Sequence, residues 1–338
     1  MIRLKIAACL LVIGLPMGFI LPAAAQDRVI IGTQRLADNG ALFLAAAEGY
    51  FRSEGIDLGM TAYESDQAVV ESLAAGTSDF ALVGFTPSGF NYAGKGVLKA
   101  IAARTREKRF YENTDVVASN VGFAKGLQKF EDLANKTVAI DGRSPISRYQ
   151  LEQIARVKKF DVQSITVKAM TSLDALARAV GTNEVDAAIM PAAYVHELLA
   201  ANRAKLVGWY SELDDMQFGA LFVSTKMIAT KRTMVEKFVK AYRRGVADYA
   251  AALLRKDVHS KRTSDLKSHE AATTIARYVY PDRGEGGAAT VEASANFIEP
   301  QAQLDLADIE RQIEWYKAGG LVDKKVSARE VLDPSFVK

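Results

Sequence analysis

Short apolar runs that alternate with segments of helical period constrain this chain most. Residues 28–33 (RVIIGT), 56–63 and 79–85 (DFALVGF) read as strands, with helices expected at 41–53 and 67–75 between them. Residues 98–103 and 115–119 add fourth and fifth strand candidates. The order then begins again: strands are expected at 137–141 (TVAID), 165–170 and 185–190 (VDAAIM), and helices at 144–160 and 173–180. A βαβα order calls for a mostly parallel sheet covered on both faces. Two such runs imply two α/β lobes.

An internal echo supports the split. Leu73-Ala74-Ala75-Gly76-Thr77-Ser78-Asp79-Phe80-Ala81 has a counterpart in Ala179-Val180-Gly181-Thr182-Asn183-Glu184-Val185-Asp186-Ala187-Ala188. In each, a helix is expected to end at glycine, which tolerates the left-handed cap, with an acidic residue at the start of the next strand. Two ordinary helix-to-strand joints could look the same. Farther on, residues 218–227 (FGALFVSTKM) read as a strand and 230–254 as amphipathic helix, while 281–287 read as a loop and 301–318 as a helix stopped by Gly319-Gly320. Such a helical C-terminal third is best placed back over the first lobe. Expected boundaries are 1–25 as a leader, 26–119 with 219–338 as lobe one, and 120–218 as lobe two. Hinge crossings are expected near 119–126 and 214–219.

Arg3 and Lys5 precede an uncharged run over 6–21 and then Pro22-Ala23-Ala24-Ala25-Gln26. A basic start, an apolar middle and a small-residue cleavage site read as a secretory signal peptide cut after Ala25. The run falls short of the roughly 20 residues a membrane-spanning helix needs. Cys9 lies ahead of most of that run, so a lipoprotein cleavage site is not expected there. Cleavage removes the chain's one cysteine and two of its 43 Lys and Arg, against 40 Asp and Glu. No disulfide framework or thiol chemistry then remains, and the near-neutral balance argues against a nucleic-acid partner.

Residues 45–58, Ala-Ala-Ala-Glu-Gly-Tyr-Phe-Arg-Ser-Glu-Gly-Ile-Asp-Leu, resemble the early signature of ABC-transporter substrate-binding proteins of the nitrate/sulfonate/taurine and thiamine-pyrimidine (NitT/TauT-like) group. In that group a first helix ends in a glycine–aromatic–aromatic turn and a glycine-led strand follows. Segments 76–81, Phe130-Glu131-Asp132-Leu133 through Val138-Ala139, and 181–188 match as well. Asn135 departs from the pattern, which usually has glycine there. The resemblance spans about residues 29–254. It implies a type II periplasmic-binding-protein fold, two doubly wound α/β lobes joined by a two-crossing hinge. It also implies periplasmic capture of a small-molecule solute and delivery to an ABC permease at the inner membrane, here by a monomer.

The residues locate a site independently. Ligands of open parallel sheets bind beyond the carboxyl ends of strands, where helices begin. Three strands run into a turn with proline close behind: Phe85-Thr86-Pro87-Ser88, Asp141-Gly142-Arg143-Ser144-Pro145 and Ile189-Met190-Pro191-Ala192. Proline suits a first helical turn, and Thr86 and Ser144 occupy the preceding cap positions. Helix starts accept anionic oxygens, so Thr86, Ser88 and Ser144 are candidate ligand contacts, alternatively plain caps. Gln34 offers donors and an acceptor at the cleft mouth. Arg104 and Arg143 each either supply a fork to an anion or lie on the surface. Pro191, Tyr194 and the pair Trp209-Tyr210 either wall an apolar part of the ligand or pack in the core. The arginines and capped helix ends favour an anionic solute, a sulfonate or aromatic carboxylate, over the pyrimidine alternative.

Catalysis finds little support. His196, His259 and His269 lack the paired spacing of a metal site, and His196 reads as a surface residue. No metal and no cofactor are expected. Gly94-Lys95-Gly96 and Gly284-Glu285-Gly286-Gly287 lack the order of a phosphate loop, and no G-x-S-x-G elbow occurs. Asp38 and Asp141 lie near the expected cleft with no fixed separation. The resemblance also brings in an enzyme, the fungal-type thiamine-pyrimidine synthase. It implies a cytosolic protein with a cysteine-rich segment and an active-site histidine, which an exported chain without cysteine does not match. A periplasmic ligand sensor is the third reading.

Overall fold

The computed structural model describes residues 27–258 and 261–337, so the expected leader and His259 lie outside the described residues. In chain order the strands are β1 (Asp27–Thr33), β2 (Ile56–Ala62), β3 (Phe80–Gly84), β4 (Leu98–Ala103), β5 (Arg106–Glu107) and β6 (Thr114–Ser119). They continue with β7 (Thr137–Asp141), β8 (Thr166–Met170), β9 (Ala187–Pro191), β10 (Ala204–Trp209), β11 (Met216–Gln217) and β12 (Gly219–Ser224). Two five-stranded sheets result, ordered β2-β1-β3-β12-β4 and β10-β6-β9-β7-β8, with a short ribbon β11-β5 between them in sequence. In each sheet the βα-connected strands run parallel, and the strands that return from the other lobe run antiparallel.

Every residue of β3 and of β6 is buried, as expected of strands covered on both faces. Alternate side chains feed different cores. Phe80 and Leu82 join one cluster of the first lobe, while Ala81 and Val83 join the other. Val116 and Ala118 face one core of the second lobe and Val117 faces the other. The helix Arg232–Leu253 returns over the first lobe, where Phe238 stacks on Phe80 with centroids 3.8 Å apart. The C-terminal third covers both faces of the same sheet. Ile275 and Val291 pack on one side, Ile309, Ile313 and Tyr316 on the other.

The echo between the lobes has a physical basis. The Asp79 carboxylate accepts the Ile30 N–H at 2.8 Å, and that of Asp186 accepts the Thr137 N–H at 2.9 Å. In both, the acidic residue's own N–H returns a bond to the same residue's carbonyl. The left-handed cap is Gly76 in the first copy but Asn183 in the second; Gly181 is the last residue of its helix. Asn135, where the family pattern has glycine, takes φ 62°, a conformation asparagine tolerates.

Three expectations need correction. Residues 115–119 belong to the second sheet, so the first crossing lies at 104–113, ahead of the expected 119–126. Residues 281–287 are not all loop, because the helix Gly284–Ala293 starts within them and packs Ala288 and Val291 into the core. The helix expected from residue 301 begins at Leu306. No helix among the described residues is long and apolar enough to cross a membrane.

The crossings pair as β5 with β11, Glu107 opposite Met216 and Arg106 opposite Gln217. The helix Leu306–Ala318 braces this ribbon. Asp308 accepts the Gln217 N–H at 2.7 Å, Gln312 donates to the Gln217 carbonyl at 2.9 Å, and Arg106 reaches Asp305 at 2.8 Å.

Candidate functional site

A cleft of about 510 Å³ opens between the two sheets, at the carboxyl ends of their parallel strands. Residues 34–38 follow β1, residues 62–66 end β2 and open the next helix, and Gly84 ends β3 with Phe85 after it. The second lobe contributes Asp141 at the end of β7 with Arg143 and Ser144 after it, Ile189 to Tyr194 around the end of β9, and Leu173. Phe218, Asn113 and Thr114 form its floor near the ribbon, and Ser294 and Asn296 come from the C-terminal third. Such a mixed polar and apolar concavity has the size of a small-molecule site.

Six of the nine candidate residues line it: Gln34, Arg104, Arg143, Ser144, Pro191 and Tyr194. Thr86, Ser88 and Trp209 do not. Thr86 is buried and its hydroxyl accepts the Gly89 N–H at 3.0 Å, a cap that faces its own helix. Ser88 donates to Gln67 at 2.7 Å. Trp209 sits at the end of β10 opposite Asp115 of β6, and Tyr210 is buried in the second lobe's core.

Two of the three cleft arginines, Arg104 and Arg143, are already paired. Arg104, 4 % exposed, donates its Nε to Asn39 at 2.8 Å and lies 3.4 Å from the Asp38 carboxylate. Asn39 in turn donates to Thr33 Oγ1 and to the Gln34 carbonyl, so one buried amide fixes the loop after β1 against the end of β4. Asp38 is further held by Asn296 at 2.5 Å. Across the cleft, Arg143 forms a two-pronged bond to Asp141, both contacts 3.1 Å, which holds its guanidinium above its ordinary pKa. Glu64 and Asp66 add two more carboxylates to the first lobe's wall. Burial holds the Asp66 carboxyl above the usual Asp range; the Arg104 charge and the Gly84 N–H pull the other way. Burial, then Asp174, pushes the Tyr194 phenol up to about 12, so it is an un-ionised hydroxyl at neutral pH.

Ser144 differs from Thr86. Its side chain caps nothing, although it precedes Pro145 at the start of the helix Pro145–Lys158, leaving hydroxyl and helix end free towards the cleft. Asn39 escaped notice in the sequence because a loop asparagine carries no signal of burial. His196 is not on the surface alone: its Nε2 lies 2.5 Å from Glu112 Oε2.

A family model described as NMT1/THI5 like matches residues 37–252, which take in most of the cleft's lining and the ribbon. The chain belongs to the NMT1/THI5-like family. Members of this NitT/TauT-like group were expected from the segment at 45–58. No curated protein matches the chain. Among solved structures, the periplasmic aliphatic sulphonate binding protein SsuA of Escherichia coli is similar, with a TM-score of 0.71, 14 % identity, and 91 % of this chain and 93 % of that one covered. The alkanesulfonate-binding protein SsuA of Xanthomonas axonopodis pv. citri, bound to MOPS, gives 0.66 at 16 % identity, covering 93 % and 100 %. A cysteine-to-serine mutant of DSZB, a desulfurization enzyme, in complex with biphenyl-2-sulfinic acid gives 0.60 at 13 %, covering 92 % and 98 %. The fold is therefore the type II periplasmic-binding-protein fold, which carries both binders and enzymes.

Proposed function

We propose that the protein is the periplasmic solute-binding component of an ABC importer and closes its two lobes around a small solute without transforming it. The cleft lies between the lobes, it is walled by both, and among the described residues no histidine or cysteine lines it. A monomer that hands its solute to an inner-membrane permease follows from this reading.

For the solute, the charge of the wall carries the argument. Arg35, Arg104 and Arg143 bring three positive charges, whereas Asp38, Glu64, Asp66 and Asp141 bring four carboxylates. Arg104 and Arg143 already face Asp38 and Asp141. A lone sulfonate would have to compete with these carboxylates inside a partly desolvated space. A ring bearing N–H donors, such as an aminopyrimidine, can instead donate to them while Tyr194, Ile189 and Phe218 cover its faces. The second reading, an anionic head group, is favoured by the free Ser144 hydroxyl and helix end.

A thermal-shift panel separates them. A ligand at about 100 times its dissociation constant stabilises by roughly 2.7 kcal/mol. Aminopyrimidines are expected to raise the melting temperature, and alkanesulfonates and aromatic carboxylates are not. Shifts with sulfonates alone would transfer the assignment to the anionic reading.

A further inference from the structure

Beside the second lobe's wall, and not lining the cleft, Glu112, Asp115 and His196 bring one ligand atom each to within 4.8 Å of one another. They come from three pieces of chain: the end of the first crossing, strand β6, and the helix Ala192–Ala200. Asp115 is only 1 % exposed, and neither of its carboxylate oxygens has a hydrogen-bond partner. A buried carboxyl without partners is costly in either protonation state, since the protonated form adds an unpaired O–H. His196 and Glu112 are partly exposed, at 34 % and 23 %, so the cluster opens to solvent on one side. Glu212 adds negative charge nearby, and Arg262 and Lys256 are opposing cations, the Arg262 guanidinium held by the Glu292 and Ala295 carbonyls.

We propose that Glu112, Asp115 and His196 form a binding site for a divalent transition-metal ion, with Zn²⁺ the best fit. One imidazole and two carboxylates are the mixed nitrogen and oxygen set this borderline ion takes, and the open side leaves a fourth position for water. Ligand atoms about 2.0–2.2 Å from a shared ion lie roughly 3.4 Å apart in tetrahedral geometry. The widest separation, up to 4.8 Å, therefore closes by at most about 1.4 Å, and the 2.5 Å His196–Glu112 contact opens by about 0.9 Å. Oxygen donors alone would suit Mg²⁺ or Ca²⁺ better; the imidazole argues against them. The bound ion would pin the chain that enters the second lobe, and β6, to the helix whose first residues, Ala192 to Tyr194, wall the cleft. Sequence spacing gave no hint, because position 196 lies far from 112 and 115.

The test is titration of the untagged, chelator-treated chain with ZnCl₂ in competition with a chromophoric chelator. One equivalent is expected to bind the wild type and His269→Ala. Asp115→Asn and His196→Ala, with unchanged circular dichroism, are expected to lose at least 100-fold in affinity. Should Asp115→Asn not fold, Glu112→Gln replaces it. Absence of a single equivalent in the wild type, or wild-type affinity in either folded variant, overturns the proposal.

Discussion

Thr86 and Ser144 each stand one residue ahead of the proline that opens a helix, yet the structure gives them opposite tasks. Thr86→Ala removes the acceptor of the buried Gly89 N–H, a 3.0 Å bond. Loss of a cap costs about 0.5–2 kcal/mol, and a donor left buried puts this one at the upper end. We expect the urea midpoint of Thr86→Ala to fall by an amount equivalent to about 1–2 kcal/mol, with the slope unchanged. Solute affinity should stay within about twofold, because Thr86 does not line the cleft. Ser144→Ala removes a hydroxyl that caps nothing. Its midpoint should move by no more than about 0.5 kcal/mol. Its affinity, read by calorimetric titration with whichever compound the thermal-shift panel selects, should fall by about 3- to 10-fold, the net worth of one hydrogen bond. Equal destabilisation by the two substitutions, or loss of affinity in Thr86→Ala alone, would refute this division.

Two further outcomes follow from the packing. An added Cβ at Gly219 would lie 2.0 Å from the Val83 carbonyl oxygen and 2.7 Å from the Gly84 Cα, both backbone, whereas one at Gly286 meets nothing within 4 Å. Gly219→Ala should lower stability by about 3 kcal/mol or more, and Gly286→Ala, inside a helix, should raise it by up to about 1 kcal/mol; matching urea midpoints would contradict both. Burial holds the Asp308 carboxyl up at about 6, against bonds from Gln217 N–H and the Gln312 amide and the Arg311 charge. The native state then keeps this proton longer than the unfolded chain, so the group's contribution is fully present below about pH 4 and is lost as pH rises through about 6. Relative to Asp308→Asn, the wild type should lose on the order of 2 kcal/mol across that window. A parallel pH dependence of the two would show that Asp308 does not titrate there.

Much of the architecture could be read from the chain, because buried parallel strands leave uninterrupted apolar runs such as Phe80–Gly84. What pattern does not carry is sheet membership. Thr114–Ser119 reads as well in either lobe, and its pairing with Ala187–Pro191 and Ala204–Trp209 assigns it to the second. The helix Gly284–Ala293 was hidden behind Gly-Glu-Gly-Gly, a poor helix former whose core contacts override local preference. The candidate site was legible as a set of strand ends, which supplied Gln34, Arg104, Arg143, Ser144, Pro191 and Tyr194. Side-chain partners were not. Arg143 has Asp141 two residues away, but Arg104 finds Asp38 and Asn39 only through the fold, and those pairings change the charge that the cleft offers. Cap positions were equally ambiguous, since the same dipeptide, hydroxyl then proline, faces inward at Thr86 and the cleft at Ser144.

Capture between two lobes requires that both walls hold the same solute. Calorimetric titration of the panel's best compound into the wild type, Asp66→Asn and Asp141→Asn tests this most directly, since one substitution lies on each wall. A single site per chain, weakened at least tenfold by either substitution, is the predicted result. One-site binding that neither substitution alters would contradict the cleft as the place of capture.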